Sequence, residues 1–176
     1  MTDSIRSQAV LFVCMGNICR SPSAEGFFRQ CLAQAGLEGL IETDSAGTHS
    51  YHLGNPPDSR AIGMASEFGV DITDLRARRI EAEDFENFDL VIAMDDHNLR
   101  TIEQFRRNAG MEPGRAEVRL MMEYSPQYAD QPEVPDPYYG NSSDFRYMCE
   151  LLEEATTGLL NSMRDSSRGA GDGSSV

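Results

Sequence analysis

Cys14 and Arg20 stand six positions apart in the stretch VLFVCMGNICRSP, residues 10–22, and a sulfur facing a guanidinium can do phosphoryl chemistry. Between them, Met15, Gly16, Asn17, Ile18 and Cys19 are enough for a loop whose backbone amides form an anion cradle. Arg20 supplies a planar fork matched to two phosphate oxygens. The same positive surroundings favour the Cys14 thiolate, which is the form that attacks. A phosphate held over that sulfur implies transfer of the phosphoryl group through cysteine. The spacing itself arises by chance in roughly one chain in three of this composition, so the weight falls on its context.

That context is consistent. An apolar run at residues 10–13 stops at Cys14, and Ser21 and Pro22 follow Arg20. The order reads as strand, tight loop and helix start. Ser21 suits a helix cap, and Pro22 suits the first helical position, where no amide hydrogen is needed. The helix would add its positive end to the cradle.

Cleaving an aryl phosphate expels a phenolate whose conjugate acid has a pKa near ~10, so the leaving oxygen needs a proton donor. Asp136 is the best candidate, because Pro135 and Pro137 stiffen its loop. A plain Asp-Pro turn is the simpler reading of that stretch. Tyr138 and Tyr139 follow at once, and paired aromatic rings on a polar loop are better explained by contact with an aromatic ligand than by burial.

These residues must be held by a scaffold. Strand patterns fall at residues 9–13, 40–45, 88–94 and 117–122, and helical patterns at 21–36, 58–68, 81–86, 95–109 and 142–163. The alternation predicts an α/β fold, a single-domain open parallel sheet of about four strands with helices on both faces, flavodoxin-like in architecture. Ligands bind such sheets outside the carboxyl ends of the strands, where Cys14, Ser45 and Asp95 fall. Asp95 reads most simply as a helix cap. The domain is expected over 9–164, with a loose segment at 1–8 and a Ser/Gly-rich disordered tail at 165–176.

The chain has 176 residues and a net charge of −14, from 29 acidic residues against 15 basic ones, all arginine. That balance argues against nucleic acid or anionic membrane as a partner. Four cysteines without disulfide or zinc spacing point to a reducing, cytoplasmic setting. His49, His52 and His97 show no ligand spacing and read as surface residues, so neither metal nor other cofactor is expected. Cys31 and Cys149 fall on helix core faces as packing residues. No targeting segment is read before Cys14, and a monomer is expected.

CMGNICRSP, with TDSAGTHSYHLGNPPDSRA at 43–61, FDLVIAMDDHNLR at 88–100 and DPYYG at 136–140, resembles the low-molecular-weight protein tyrosine phosphatases, whose signature is Cys-x5-Arg-Ser/Thr near the N-terminus. The resemblance implies hydrolysis of phosphotyrosine on protein substrates through a phosphocysteine. Cys14 would be the nucleophile, Arg20 the clamp above a phosphate loop at 15–20, and Asp136 the acid and then the base. It further implies that Ser45 hydrogen-bonds Asn17 and that Tyr51 walls the cleft. Cys19 would form a disulfide with Cys14 once the thiolate is oxidised to sulfenic acid. A strand-end hydroxyl, a loop-packing ring and a small buried side chain are the plainer readings of those three. Ser21 can cap the helix or face the Cys14 thiolate.

Family members acting on phosphoarginine tend to have threonine at the position of Ile18, so Ile18 favours an aromatic ester. In DITDLRARR the family often has a loop-supporting histidine where Leu75 stands, and that support is missing or replaced. Arsenate reduction on a similar scaffold is the competing activity and needs relay cysteines. A phosphate-binding module without turnover is the third reading.

Overall fold

A computed structural model describes residues 8–112 and 114–169. Four parallel strands, β1 (Gln8–Cys14), β2 (Ile41–Gly47), β3 (Leu90–Ala93) and β4 (Glu117–Leu120), lie in the order β2-β1-β3-β4. The helices are α1 (Arg20–Gln34), α2 (Ser59–Glu67), α3 (Asp84–Asn87), α4 (Asp96–Asn108) and α5 (Ser142–Gly169).

The unbroken apolar run of β1 follows from its central place in the sheet, buried on both faces. Val10, Phe12 and Cys14 turn toward α1 and α5, while Leu11 and Val13 turn toward Phe85 and Ile102 on the opposite side. Phe12 meets Phe28 of α1 edge-on at 5.6 Å, and both are fully buried. Burying each such ring contributes about 2 to 3 kcal/mol. The chain leaves β1 for β2 on one side and returns to β3 on the other. The carboxyl end of β1, where Cys14 sits, therefore borders the crevice where strand order reverses.

Boundaries differ from the sequence reading where side chains found other partners. β2 runs past Ser45 to Gly47, because Gly47 accepts from Ile80 and donates to Arg78 across the loop. β4 stops at Leu120 and tightens into a 3-10 turn at Met121–Tyr124. That turn lies so close to α5 that any side chain at Gly158 would collide with the Tyr124 carbonyl.

The segment read as a tail begins as helix instead, since α5 continues to Gly169. Ser166 and Ser167 return their hydroxyls to the carbonyls of Ser162 and Met163 at 3.0 Å, which lets serine continue a helix that composition alone would end. Residues 170–176, and all but Gln8 of the expected loose segment 1–8, lie outside the described residues.

Candidate active site

The loop after β1 is fastened by its carbonyls. Those of Cys14, Met15 and Ile18 accept from the amides of Thr48, His49 and Asp58 at 2.9, 3.0 and 2.8 Å. Among the described residues the amides of 15–19 find no acceptor. Buried backbone donors are seldom left so, and a run of them beside a helix N-terminus is an anion cradle. Gly47 permits the close approach: a Cβ there would stand 2.7 Å from the Met15 carbonyl oxygen.

The turn of the loop falls on Asn17, whose φ of 56° makes it the one non-glycine among the described residues in the left-handed region. Its side chain compensates that strain. Nδ2 donates to Ser21 Oγ at 2.8 Å and to Ser45 Oγ at 3.0 Å, and Oδ1 accepts from the Arg78 amide at 2.9 Å. The Ser45 expectation is thus matched in geometry. The Arg78 amide helps support the loop while Leu75 packs half-buried against the main core.

Ser21 is not a helix cap. The residue preceding α1 is Cys19, which makes no side-chain cap bond, and Ser21 is wholly buried with Oγ 3.0 Å from Cys14 Sγ. Asn17 donates to that oxygen, so the Ser21 hydrogen has two acceptors within reach, the Cys14 sulfur and the Ala46 carbonyl at 3.4 Å. Of the two readings of Ser21, cap or partner of the thiolate, the folded loop has the hydroxyl turned inward.

Arg20 is buried and donates to Asp95 Oδ2 at 2.5 Å and to the Val134 carbonyl at 3.1 Å, with Asp136 Oδ2 3.6 Å away. Burial alone would weaken its charge, but Cys14, Asp95 and Asp136 together hold its pKa above the free value. Asp95 does cap α4, through Oδ1 to the Asn98 amide at 2.7 Å. Its second oxygen is the guanidinium anchor, a role that no local pattern 75 residues away could reveal.

The Asp136 loop is pinned at both ends. Val134 donates to the Met94 carbonyl at 2.8 Å, and the Tyr138 carbonyl accepts from Arg60 at 3.0 Å. Asp136 Oδ1 accepts from the Tyr138 amide at 3.1 Å, an Asx turn that leaves the carboxylate 46% exposed and facing the cleft. Arg60 is itself gripped by Asp58 and lies over the rings of Tyr138 and Phe145 at 5.5 and 4.8 Å.

Cys14, Ile18, Arg20, Tyr51, Asp136 and Tyr138 line one cleft of about 330 Å³. Met15, Gly16, Cys19 and Tyr139 complete the sequence-derived set there. Tyr51 and Tyr139 are exposed aromatic lips, and Tyr51 stacks on His49 at 5.3 Å. His52 also lines the cleft, against the expectation of a plain surface residue. Its ring edge would stand 3.1 Å from a Cβ on Gly16 and its centroid is 6.4 Å from that of Tyr138. A polar loop gives no period by which to assign that face.

Burial pushes the Cys19 thiol far above its ordinary range, with Asp58, Cys14 and Asp136 adding to the shift. Burial likewise raises Cys149, to about 12, and Cys31 sits half-buried by Thr156 and Thr157 between α1 and α5. Among the described residues no cluster of ligating side chains could hold a metal, and no helix is long and apolar enough to cross a membrane.

A family model described as low molecular weight phosphotyrosine protein phosphatase matches residues 9–168. A low molecular weight protein-tyrosine-phosphatase of Streptomyces coelicolor is 43% identical over 161 residues, 91% of this chain and 96% of its own length. The crystal structure of YfkJ from Bacillus subtilis superposes with a TM-score of 0.82 at 35% identity, covering 92% of this chain and 97% of that one. That of DARP, a Drosophila arginine phosphatase, superposes at 0.79 and 30% identity, covering 87% and 96%.

Proposed function

Because the chain belongs to the low molecular weight phosphotyrosine protein phosphatases, we propose that it hydrolyses phosphotyrosine on protein substrates through a phosphocysteine intermediate. The observation that carries the reading is the unsatisfied row of amides at 15–19 curved beside the Cys14 sulfur, with Arg20 and Asp136 in the same cleft.

The phosphate seats on those amides and on the Arg20 fork, which spread its charge as the transferring group loosens. Cys14 sulfur attacks phosphorus in line, the P–S bond forms, and the P–O bond to the phenol breaks. Asp136 gives its proton to the departing oxygen. The same carboxylate then takes a proton from water, whose oxygen attacks phosphorus and displaces the thiolate. Ser21 Oγ, 3.0 Å away, donates to the sulfur as it leaves and lowers the barrier to that step. Tyr51, Tyr138 and Ile18 give the phenol an apolar slot, which suits an aryl ester better than a cationic phosphoguanidine.

Arsenate reduction is less well supported, since Cys149 is sealed in the core and Cys31 lies between helices rather than on a loop beside the cleft. A Cys14–Cys19 disulfide would need the buried Cys19 proton removed first, so oxidation of the sulfur should outpace closure of the bond. The substrate and the free thiols fit a monomer working in a reducing cytoplasm.

The test is turnover of a series of aryl phosphates. Cys14→Ser should lose activity by more than about 10⁴-fold. Asp136→Ala should slow poor leaving groups about 10²-fold or more and good ones far less. Equal rates for Asp136→Ala and the parent across the series would remove Asp136 from the mechanism. Faster release of phosphate from phosphoarginine than from phosphotyrosine peptides would overturn the substrate.

A further inference from the structure

We infer that His49 is a positioning residue, a shelf whose ring holds Tyr51 in place as the aromatic wall of the cleft. The two rings are nearly parallel, with 8° between their planes and 5.3 Å between centroids, the offset stack that aromatic pairs favour. His49 Nδ1 is 2.8 Å from Thr48 Oγ1, a contact that fixes the turn of the imidazole. The backbone at this point is fastened to the phosphate loop, since the His49 amide donates to the Met15 carbonyl at 3.0 Å and the Thr48 amide to that of Cys14 at 2.9 Å. One residue therefore joins the loop that carries the nucleophile to a ring that lines the cleft.

The backbone around Tyr51 shows why a shelf is needed. The loop is clasped at one end by Gly47, which bonds to Arg78 and Ile80, and at the other by Gly54 and Asn55, which bond to Ala77. Between the clasps, the amides of residues 50–53 find no acceptor among the described residues. Burial does not hold this tip either, because Tyr51 is 74% exposed and Leu53 56%. Its orientation is left to side chains: His52 beside Gly16 and Tyr138, and His49 against Tyr51. An exposed tyrosine turns about two torsions, and ordering them when substrate arrives weakens binding. A ring already stacked on His49 has lost that freedom beforehand, and it keeps most of its surface open to a phenol.

This role rests on the phosphatase reading for its kinetic consequence and not for its structural one, and two measurements separate them. In the protein without substrate, the ring-proton resonances of Tyr51 should lie upfield of those of a free tyrosine, because the imidazole faces them. His49→Ala should return them to ordinary positions, and His49→Phe should keep them upfield. With para-nitrophenyl phosphate, His49→Ala should raise KM roughly threefold to tenfold while kcat changes less than about twofold, and His49→Phe should restore KM. Inhibition by inorganic phosphate, which has no ring to lay on Tyr51, should agree within about twofold in all three proteins. In a Tyr51→Ala background, His49→Ala should no longer alter KM. Tyr51 resonances indifferent to His49→Ala, an unchanged KM, a KM that His49→Phe leaves raised, or weaker inhibition by phosphate would each overturn the role of His49. Tyr51 resonances that respond as expected in a protein that turns over no aryl phosphate would instead overturn the phosphatase reading.

Discussion

Asp95 is the residue whose two oxygens serve two ends: one satisfies the Asn98 amide at the start of α4 and the other fixes Arg20. Asp95→Asn keeps an oxygen for the cap but removes the charge that orients the guanidinium. We expect kcat/KM for para-nitrophenyl phosphate to fall roughly tenfold, with the thermal midpoint moved by less than about 2 °C. Steady-state kinetics and calorimetry on the same sample would check both. Residues whose role is local were legible in sequence, and residues whose role depends on a distant partner were not. Cys14, Arg20 and the acid between two prolines lie in short stretches that carry their own geometry. The grip of Asp95 on Arg20 and the place of His52 in the cleft depend on chain segments brought together only by the sheet.

Among the elements, the Asp136 loop depends on α2. Arg60 reaches the Tyr138 carbonyl from that helix and stacks on the Tyr138 ring, while Asp58 at its cap accepts from Arg60 and donates its amide to Ile18 of the phosphate loop. One short helix therefore sets the distance between nucleophile and acid. Arg60→Ala should slow esters with poor leaving groups about threefold to tenfold, and those with good leaving groups little, as measured by the dependence of kcat on leaving-group acidity. Element types could be read from sequence because burial on both faces of β1 leaves an unbroken apolar run and α4 shows a cap and a stop. Strand order could not, since the sequence does not show on which side of β1 a crossover returns. The end of α5 was lost because serines that bond back to their own helix look like tail composition.

On the scale of the molecule, the buried carboxyl of Glu25 ties global stability to pH. Burial raises its folded value to about 7, above the ordinary 4.5 of a free glutamate, so the unfolded chain gives up the proton first. Stability from this group is therefore complete below about pH 4.5, declines as pH rises toward 7, and stays low above it. The loss is on the order of 3 kcal/mol. Glu25→Gln should melt several degrees above the parent at about pH 8 and no higher at acid pH, read by calorimetry across the range. The amides of residues 15–19, which find no acceptor among the described residues, extend that coupling to the surroundings. Only the native chain can offer them to an oxyanion, so inorganic phosphate, the spent product, acts as ballast against unfolding, and a solution stripped of it holds a less durable catalyst.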